Sequence, residues 1–245
     1  MTNRLILMNA VLVVAHAVES VLGFGATITA FGLGLYLFQI NTLLVVLVLL
    51  ALLQSTWLVI RWFTHIEWKK IYARILPVAL LGVIVGILLR DRFDEAGLKL
   101  ILGLFILVLA SAELVLMAVS RKRTSRNLPE GAGLALILTG GIFHGLLTIG
   151  GPLIVYYASR QLSSQGSIRG TLAFIWLILN IVMLGGFLLD GRITGEVLKM
   201  TGMLLPGFAA GILAGSLLKV RDDIFRIVTY VMLMLIAVSI LVPYF

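Results

Sequence analysis

Long apolar runs separated by short basic loops dominate the chain. Six such runs lie at about 43–63, 70–89, 97–119, 168–189, 194–218 and 224–244. A helix needs about 20 apolar residues to cross about 30 Å of hydrocarbon, and helices are required because unpaired backbone groups are intolerable in lipid. A membrane barrel would instead show short segments of alternating polarity. The pattern therefore predicts an all-α, polytopic membrane protein.

Two further apolar segments are interrupted by glycine and proline. Residues 4–38 contain GFGAT at 23–27, and residues 132–160 contain TIGGP at 148–152. Each segment is too long for one simple span and too short for two, and glycine and proline signal a helix that stops and restarts. We therefore predict two broken helices. The first apolar run ends without a small-residue cleavage site, so we expect it to belong to the mature fold.

The two breaks occupy matching places in two halves of the chain. An offset of 125 residues aligns Glu19, Ser20 and Gly25 with His144, Gly145 and Gly150. An offset of 126 pairs Gln54 with Asn180, and an offset of 129 pairs Pro77, Gly82, Gly86, Arg90 and Asp94 with Pro206, Gly211, Gly215, Lys219 and Asp223. We interpret this as an internal repeat, with a first membrane repeat at 1–120, a basic cytoplasmic linker at 121–130 and a second membrane repeat at 131–245.

Loop charge predicts how the repeats are oriented. If each broken segment turns back as a hairpin, the loops near 61–74, 121–126, 160–169 and 219–226 share one side and hold 13 of the 19 Lys and Arg. If both segments cross, the larger share falls to 11 of 19. Because cytoplasmic loops are rich in Lys and Arg, we predict two inverted repeats, each of one re-entrant hairpin plus three transmembrane helices, with both termini outside the cytoplasm.

Composition argues against several other classes of protein. The chain is 61% hydrophobic and 12% charged, whereas soluble domains are about 45–50% apolar and about 25% charged. The net charge of +8 lies in short loops, which lipid headgroups explain better than nucleic acid. With no cysteine and three histidines, neither a metal site nor a cofactor is predicted. Because HExxH and Walker A motifs are absent from the sequence, an intramembrane enzyme is a weak alternative.

The duplicated breaks, together with Arg169-Gly170-Thr171 opening a helix after the second one, resemble the TauE/SafE sulfite exporter family of membrane anion permeases. The resemblance covers nearly the whole chain. It departs at Ala26 and Thr27, where further glycines are expected, and this bears on the substrate more than on the fold. The resemblance implies a bacterial inner-membrane protein that exports sulfite, an organosulfonate or another small oxyanion, driven by an ion gradient. A passive channel or uniporter for another small solute is the alternative, and a homodimer is left open.

Helix ends at the breaks are the predicted substrate site. No Lys or Arg lies deep within a span, so positive potential would come from the N-terminus of each restarted half-helix. We expect the two breaks to face each other. The predicted substrate-binding residues are Gly23, Gly25, Thr27, Thr148, Gly150, Gly151, Pro152, Gln54, Asn180 and Arg169. Helix packing for the glycines, interhelical hydrogen bonds for the amides and a topology charge for Arg169 are the competing interpretations.

Three ionisable residues near the breaks are candidates for proton coupling. Glu19 and His144 are equivalent in the repeat, and His16 lies one turn before Glu19 on the same helix face. Ionisable groups inside a membrane are costly unless they are paired or hydrated, and histidine titrates near neutral pH. The alternatives are a hydrogen-bonded structural cluster and positions too near the membrane interface to be buried.

Overall fold

The structure is a computed structural model that describes residues 2–22, 25–119, 128–162, 164–218 and 222–244. Within these ranges the chain is helical and contains no strand. The helices are α1 (Thr2–Leu22), α2 (Ala26–Gly34), α3 (Ile40–Trp62), α4 (Trp68–Arg90), α5 (Glu95–Val119), α6 (Glu130–Leu147), α7 (Gly151–Gln161), α8 (Gln165–Leu189), α9 (Gly195–Leu217) and α10 (Asp222–Leu241). Residues 121–127 of the predicted linker lie outside the described ranges.

Seven helices in the described ranges are long and apolar enough to cross a membrane, namely α3, α4, α5, α6, α8, α9 and α10. The six uninterrupted spans predicted from sequence are confirmed as α3, α4, α5, α8, α9 and α10. The helices agree with the prediction because a continuous apolar run of this length has no other way to bury its backbone in lipid.

α4 contains an irregular turn near its start. Residues Ile71–Ile75 form a π-helical turn shortly before Pro77. Proline has no N–H and its ring clashes with a carbonyl of the preceding turn, and a π turn relieves such a clash. The chain therefore continues as one helix through to Arg90.

The chain forms two compact units. Unit 1 comprises Met1–Leu43, Phe93–Thr124 and Gly202–Phe245, and unit 2 comprises Leu44–Arg92 and Ser125–Thr201. Each unit therefore combines residues from both halves of the sequence.

In unit 1, α2 folds back along α1. A Cβ atom built on Gly34 would lie 3.3 Å from Met8 Cε, near the start of α1, whereas one on Gly25 would lie 3.6 Å from Val18 Cγ1, near its end. The two contacts run in opposite directions along the chain, as in a helical hairpin. Gly25 has a φ of 106°, in the left-handed region that glycine adopts without strain.

In unit 2, α7 folds back along α6 in the same way. Gly140 lies against Ile154, and Gly133 lies against the Tyr157 ring. At Gly150 a Cβ atom would collide with the carbonyl oxygen of Gly140. Only glycine fits at Gly150, because the two limbs are closest there.

Each hairpin packs against a glycine-bearing helix from the other half of the chain. In unit 2, Gly82 and Gly86 of α4 lie against the carbonyl oxygens of Leu138 and Ile142 of α6. In unit 1, Gly211 and Gly215 of α9 lie against the carbonyl oxygens of Val13 and Ala17 of α1, at 2.8 Å from a built Cβ in each case. Small residues let helix backbones approach this closely. Packing therefore explains these four glycines.

The two contact sets correspond residue by residue. Shifting α6 by the offset of 125 turns Leu138 and Ile142 into Val13 and Ala17, and shifting α4 by 129 turns Gly82 and Gly86 into Gly211 and Gly215. The offsets found in the sequence thus relate equivalent contacts in two different units.

Hydrogen bonds and ion pairs join the helix termini of unit 2 at each end of the unit. At one end, Lys70 Nζ donates to the Gln161 carbonyl at 2.8 Å and Arg74 pairs with Glu130 at 3.0 Å. These contacts join the start of α4, the start of α6 and the end of α7. At the other end, the α4 and α8 C-termini meet in an ion-pair network of Arg90, Asp91, Asp190 and Arg192.

Candidate functional site

The predicted site residues are distributed over both units. Gly25, Thr27, His16 and Glu19 lie in unit 1, and Gln54, His144, Thr148, Gly150, Gly151, Pro152, Arg169 and Asn180 lie in unit 2. Gly23 lies outside the described residues. That the two breaks face each other stays a prediction, because one break lies in each unit.

The second break, residues 148–150, ends α6 and exposes the start of α7. Thr148 has a φ of 58° and its N–H donates to the His144 carbonyl at 2.7 Å, which ends α6. α7 then begins at Gly151 with Pro152 in its first turn, and no side chain of the N-cap residue bonds to it. The first N–H groups of a helix have no partner within the helix. The α7 N-terminus is therefore suited to an anion.

Trp176 adjoins the start of α7, and two polar side chains lie next to it. A Cβ atom on Gly151 would lie 3.9 Å from the indole ring of Trp176, and the His144 ring stacks on the same indole with 5.9 Å between ring centroids. Asn180 follows Trp176 by one turn on α8, and its side chain is close enough to interact with the His144 ring. We call Gly151, His144, Trp176 and Asn180 the second-break cluster.

The two polar side chains of this cluster, His144 and Asn180, are buried. His144 is 4% exposed and Asn180 is 2% exposed. Among the described residues, neither ring nitrogen of His144 nor Oδ1 of Asn180 has a hydrogen bond of good geometry. Because buried polar groups are nearly always hydrogen-bonded, this is a place where a ligand would add partners that the chain does not supply.

Trp176 is a member of this cluster that is not among the residues predicted from sequence. Tryptophan in membrane proteins concentrates at the two interfaces, but Trp176 lies in the middle of α8. This position, one turn before a buried amide, is the signal by which the sequence could have identified it.

The first break, residues 23–25, presents different chemistry. Oε2 of Glu19 accepts a hydrogen bond from the N–H of Ala26, the first residue of α2, at 3.1 Å. The His16 ring lies edge-on to the Phe208 ring at 4.7 Å, and His16 is buried. The chain therefore supplies its own carboxyl group to the α2 N-terminus, whereas the equivalent residue at the second break is His144.

The remaining predicted residues have other surroundings. The Thr148 hydroxyl donates to the Leu147 carbonyl at 2.7 Å. Its hydrogen is therefore not available for a bond to a substrate. Gln54 is a buried amide on α3. The Arg169 guanidinium lies 6.0 Å from the Trp62 ring centroid, and Arg169 precedes Trp176 by about 10 Å along the helix axis. Arg169 thus lies toward the basic end of unit 2, outside the second-break cluster.

Comparison with known proteins gives one family. A family model described as "Sulfite exporter TauE/SafE" matches residues 8–240. The "Probable sulfite/organosulfonate exporter TauE" of Cupriavidus necator is 23% identical to the chain over 202 residues, which cover 80% of this chain and 77% of that protein. No solved structure matches the chain.

Proposed function

The chain belongs to the TauE/SafE sulfite exporter family, and from that premise we propose that it is a secondary transporter that exports a small oxyanion across the bacterial inner membrane. The similarity to a protein named as a sulfite/organosulfonate exporter supports sulfite or an organosulfonate as the cargo. The observation that carries the proposal is the α7 N-terminus, whose N-cap Gly150 offers no side chain to its N–H groups, together with buried His144 and Asn180, whose ring nitrogens and Oδ1 lack hydrogen bonds of good geometry.

The α7 N-terminus is the proposed anion site. Its aligned peptide dipoles act like roughly half a positive charge, and they act in a span that has no Lys or Arg between Arg126 and Arg160. Gly151 has no side chain to cover the helix start, where Gly151 and Leu153 carry N–H groups and Pro152 carries none, and the Trp176 indole lies 3.9 Å from a Cβ built on Gly151. Such a site holds an anion without the permanent cation that would bind it too tightly for release.

The inverted repeat is the proposed basis of the conformational change that exposes the substrate site to each side of the membrane in turn. The equivalent glycine contacts of α4 with α6 and of α9 with α1 support a duplicated fold in which each hairpin contacts the other half. Transporters built from inverted repeats alternate access by moving one repeat element against another around a central site. The folding back of α2 and α7 supports re-entrant hairpins in preference to crossing segments.

The end of unit 2 that contains Lys70 and Arg74 is the proposed cytoplasmic end. Loops at that end carry more Lys and Arg than the loop after α4, as the positive-inside rule requires. The second hairpin would then enter from the cytoplasmic side, since Glu130 and Gln161 lie at that end. In an inverted repeat the first hairpin enters from the opposite side, which leaves both termini outside the cytoplasm.

An ion gradient is the proposed energy source, and Glu19 the proposed coupling group. Its carboxyl group sits at the α2 N-terminus with His16 one turn away on the same helix. A carboxyl group that gains or loses a proton there changes the charge seen by the helix end. His144 is the second candidate, because it lies in the proposed anion site itself.

Flux into proteoliposomes tests the transporter. Radiolabelled sulfite, sulfate and a sulfonate would be followed with and without an imposed pH gradient. Gly151→Leu should abolish flux, because its side chain fills the space between α7 and Trp176. Gly185→Leu on α8 is the matched control, since nothing lies within 4 Å of a Cβ there. Flux of no anion by the folded wild-type protein would contradict the proposal, and flux that ignores the gradient would indicate a uniporter.

A further inference from the structure

The second-break cluster contains hydrogen-bond acceptors as well as donors. A neutral imidazole has one N–H and one bare nitrogen, and the neutral form is the cheaper one inside an apolar span. Asn180 Oδ1 is a second acceptor. Both ring nitrogens and Oδ1 lack hydrogen bonds of good geometry to any residue that the structure describes. If the ring N–H turns to Oδ1, the bare ring nitrogen still needs a donor.

A simple oxyanion offers only acceptors. It would satisfy the N–H groups at the start of α7 and leave at least one acceptor of His144 or Asn180 buried without a donor. An unsatisfied buried polar group costs about 1–3 kcal/mol. A ligand that also carries an O–H or N–H would satisfy both sides of the cluster.

The lack of Lys and Arg in the segments that form the second-break cluster also limits the charge of the ligand that can bind there. The chain has no Lys or Arg between Arg126 and Arg160, nor between Arg169 and Arg192. The second-break cluster therefore provides a helix end of roughly half a charge and no side-chain cation. Because the cost of removing an ion from water rises with the square of its charge, a dianion is penalised far more than a monoanion.

We propose that the second-break cluster selects a monoanionic oxyanion that itself carries a hydrogen-bond donor. Hydrogensulfite and sulfonates with a hydroxyl group belong to this class, whereas the sulfite and sulfate dianions do not. Oxygens of the anion accept from the α7 N–H groups, and the donor bonds to His144 or Asn180. The inference rests on the proposed function and names the substrate class of the same site.

Two sulfonates of equal charge and similar size test it. 2-Hydroxyethanesulfonate and propane-1-sulfonate differ by a hydroxyl in place of a methyl group, and neither changes its charge near neutral pH. Binding of each, and of sulfate, to the purified full-length protein would be measured by titration calorimetry. We expect the hydroxyl compound to bind about tenfold more tightly than its methyl counterpart, and sulfate to bind most weakly.

An Asn180→Leu variant locates the preference. It replaces the amide with two methyl groups on the same branched frame and removes Oδ1, so it should reduce the tenfold ratio by weakening the hydroxyl compound far more than propane-1-sulfonate. Gly185→Leu on the same helix should preserve the ratio. The wild-type ratio decides the inference even if Asn180→Leu fails to fold.

The outcomes separate the two proposals. Equal affinity for the two sulfonates, or sulfate binding as tightly as either, would overturn the selection of a donor-bearing monoanion and leave an anion transporter standing. Absence of binding by every anion, sulfite included, would overturn the proposed function and the inference with it.

Discussion

The Glu19 carboxyl group accepts a hydrogen bond from the N–H of Ala26, seven residues later in the chain. The bond spans the first break and joins the end of α1 to the start of α2. A carboxylate in this place is favoured by the positive end of the α2 dipole. The same carboxyl group therefore stabilises the hairpin and carries a charge that protons can remove.

Glu19→Gln separates these two roles. The amide oxygen still accepts from Ala26, so the hairpin should fold, but the side chain no longer titrates. We expect anion flux to persist and to lose its response to an imposed pH gradient, measured in proteoliposomes as the ratio of flux with and without the gradient. Glu113→Gln on α5 is the control and should keep the response. An unchanged ratio in Glu19→Gln would remove Glu19 as the coupling group.

The two neighbouring glycines of the second break, Gly150 and Gly151, should differ sharply in how far substitution by alanine destabilises the protein. A Cβ on Gly150 would collide with the Gly140 carbonyl oxygen, whereas one on Gly151 meets only the Trp176 ring at 3.9 Å. Gly150→Ala should lower the free energy of unfolding by about 1–3 kcal/mol or more, and Gly151→Ala should leave it nearly unchanged. Thermal unfolding in detergent, followed by size-exclusion chromatography, measures both. Equal stability of the two variants would show that the hairpin limbs are farther apart than described.

The repeated glycine contacts should be equally sensitive in the two units. Gly86→Ala would bring a methyl group into the Ile142 carbonyl, and Gly215→Ala would bring one against Ala17 and Ser20. Each change should lower the thermal midpoint, by overpacking that costs about 1–3 kcal/mol. Gly185→Ala, which meets nothing within 4 Å, should be neutral or stabilising because alanine favours helix. A large loss for one contact and none for the other would argue that the units are not equivalent.

Thr148 is strained in the structure. It is β-branched, yet its φ is 58°, a left-handed conformation that costs non-glycine residues roughly 1–2 kcal/mol. Thr148→Gly should therefore raise the free energy of unfolding by about 1 kcal/mol, less the loss of the hydroxyl bond to Leu147. Chemical denaturation of the purified protein measures the change. If Thr148→Gly is clearly less stable, the hydroxyl bond outweighs the backbone strain.

The Arg90 network should contribute more stability than an exposed ion pair. Arg90 is 3% exposed, pairs with Asp190 at 3.4 Å and lies over the Phe187 ring. Asp190→Asn leaves the buried guanidinium with less compensation and should cost about 1–2 kcal/mol, since Asp190 itself is partly solvated. Glu95→Gln, which breaks the exposed pair with Lys99, should cost less than about 0.5 kcal/mol. Thermal midpoints of the two variants compare them directly, and similar midpoints would count against a stabilising network.

The sequence predicted the helices well because each rests on a local signal. Apolar length predicted the six uninterrupted spans, and glycine with proline predicted where the two broken segments stop and restart. Both patterns extend over about 20 consecutive residues. They therefore predict a helix without any information about the helix that packs against it.

The candidate site was less accessible, because its geometry arises from contacts between distant segments. The sequence marked His144 and Asn180 as polar residues in spans, but not the stacking of His144 on Trp176, which joins two different helices. The repeat offsets likewise aligned Glu19 with His144, but gave no sign that Glu19 bonds to the start of its own hairpin. These relationships depend on helix rotation and close packing, which periodicity does not define.

The exchange of helices between the two halves has a consequence for biosynthesis. Val13 and its partner Gly211 are 198 residues apart, whereas Gly82 and Leu138 are 56 apart. At about 5–20 residues per second of translation, about 10–40 s separate the synthesis of the first hairpin from that of its partner helix α9. The partner of the second hairpin, α4, is already made when that hairpin is synthesised about 3–11 s later. Unit 2 is therefore completed first, and the surface of α1 that packs on Gly211 and Gly215 stays uncovered until α9 has been synthesised.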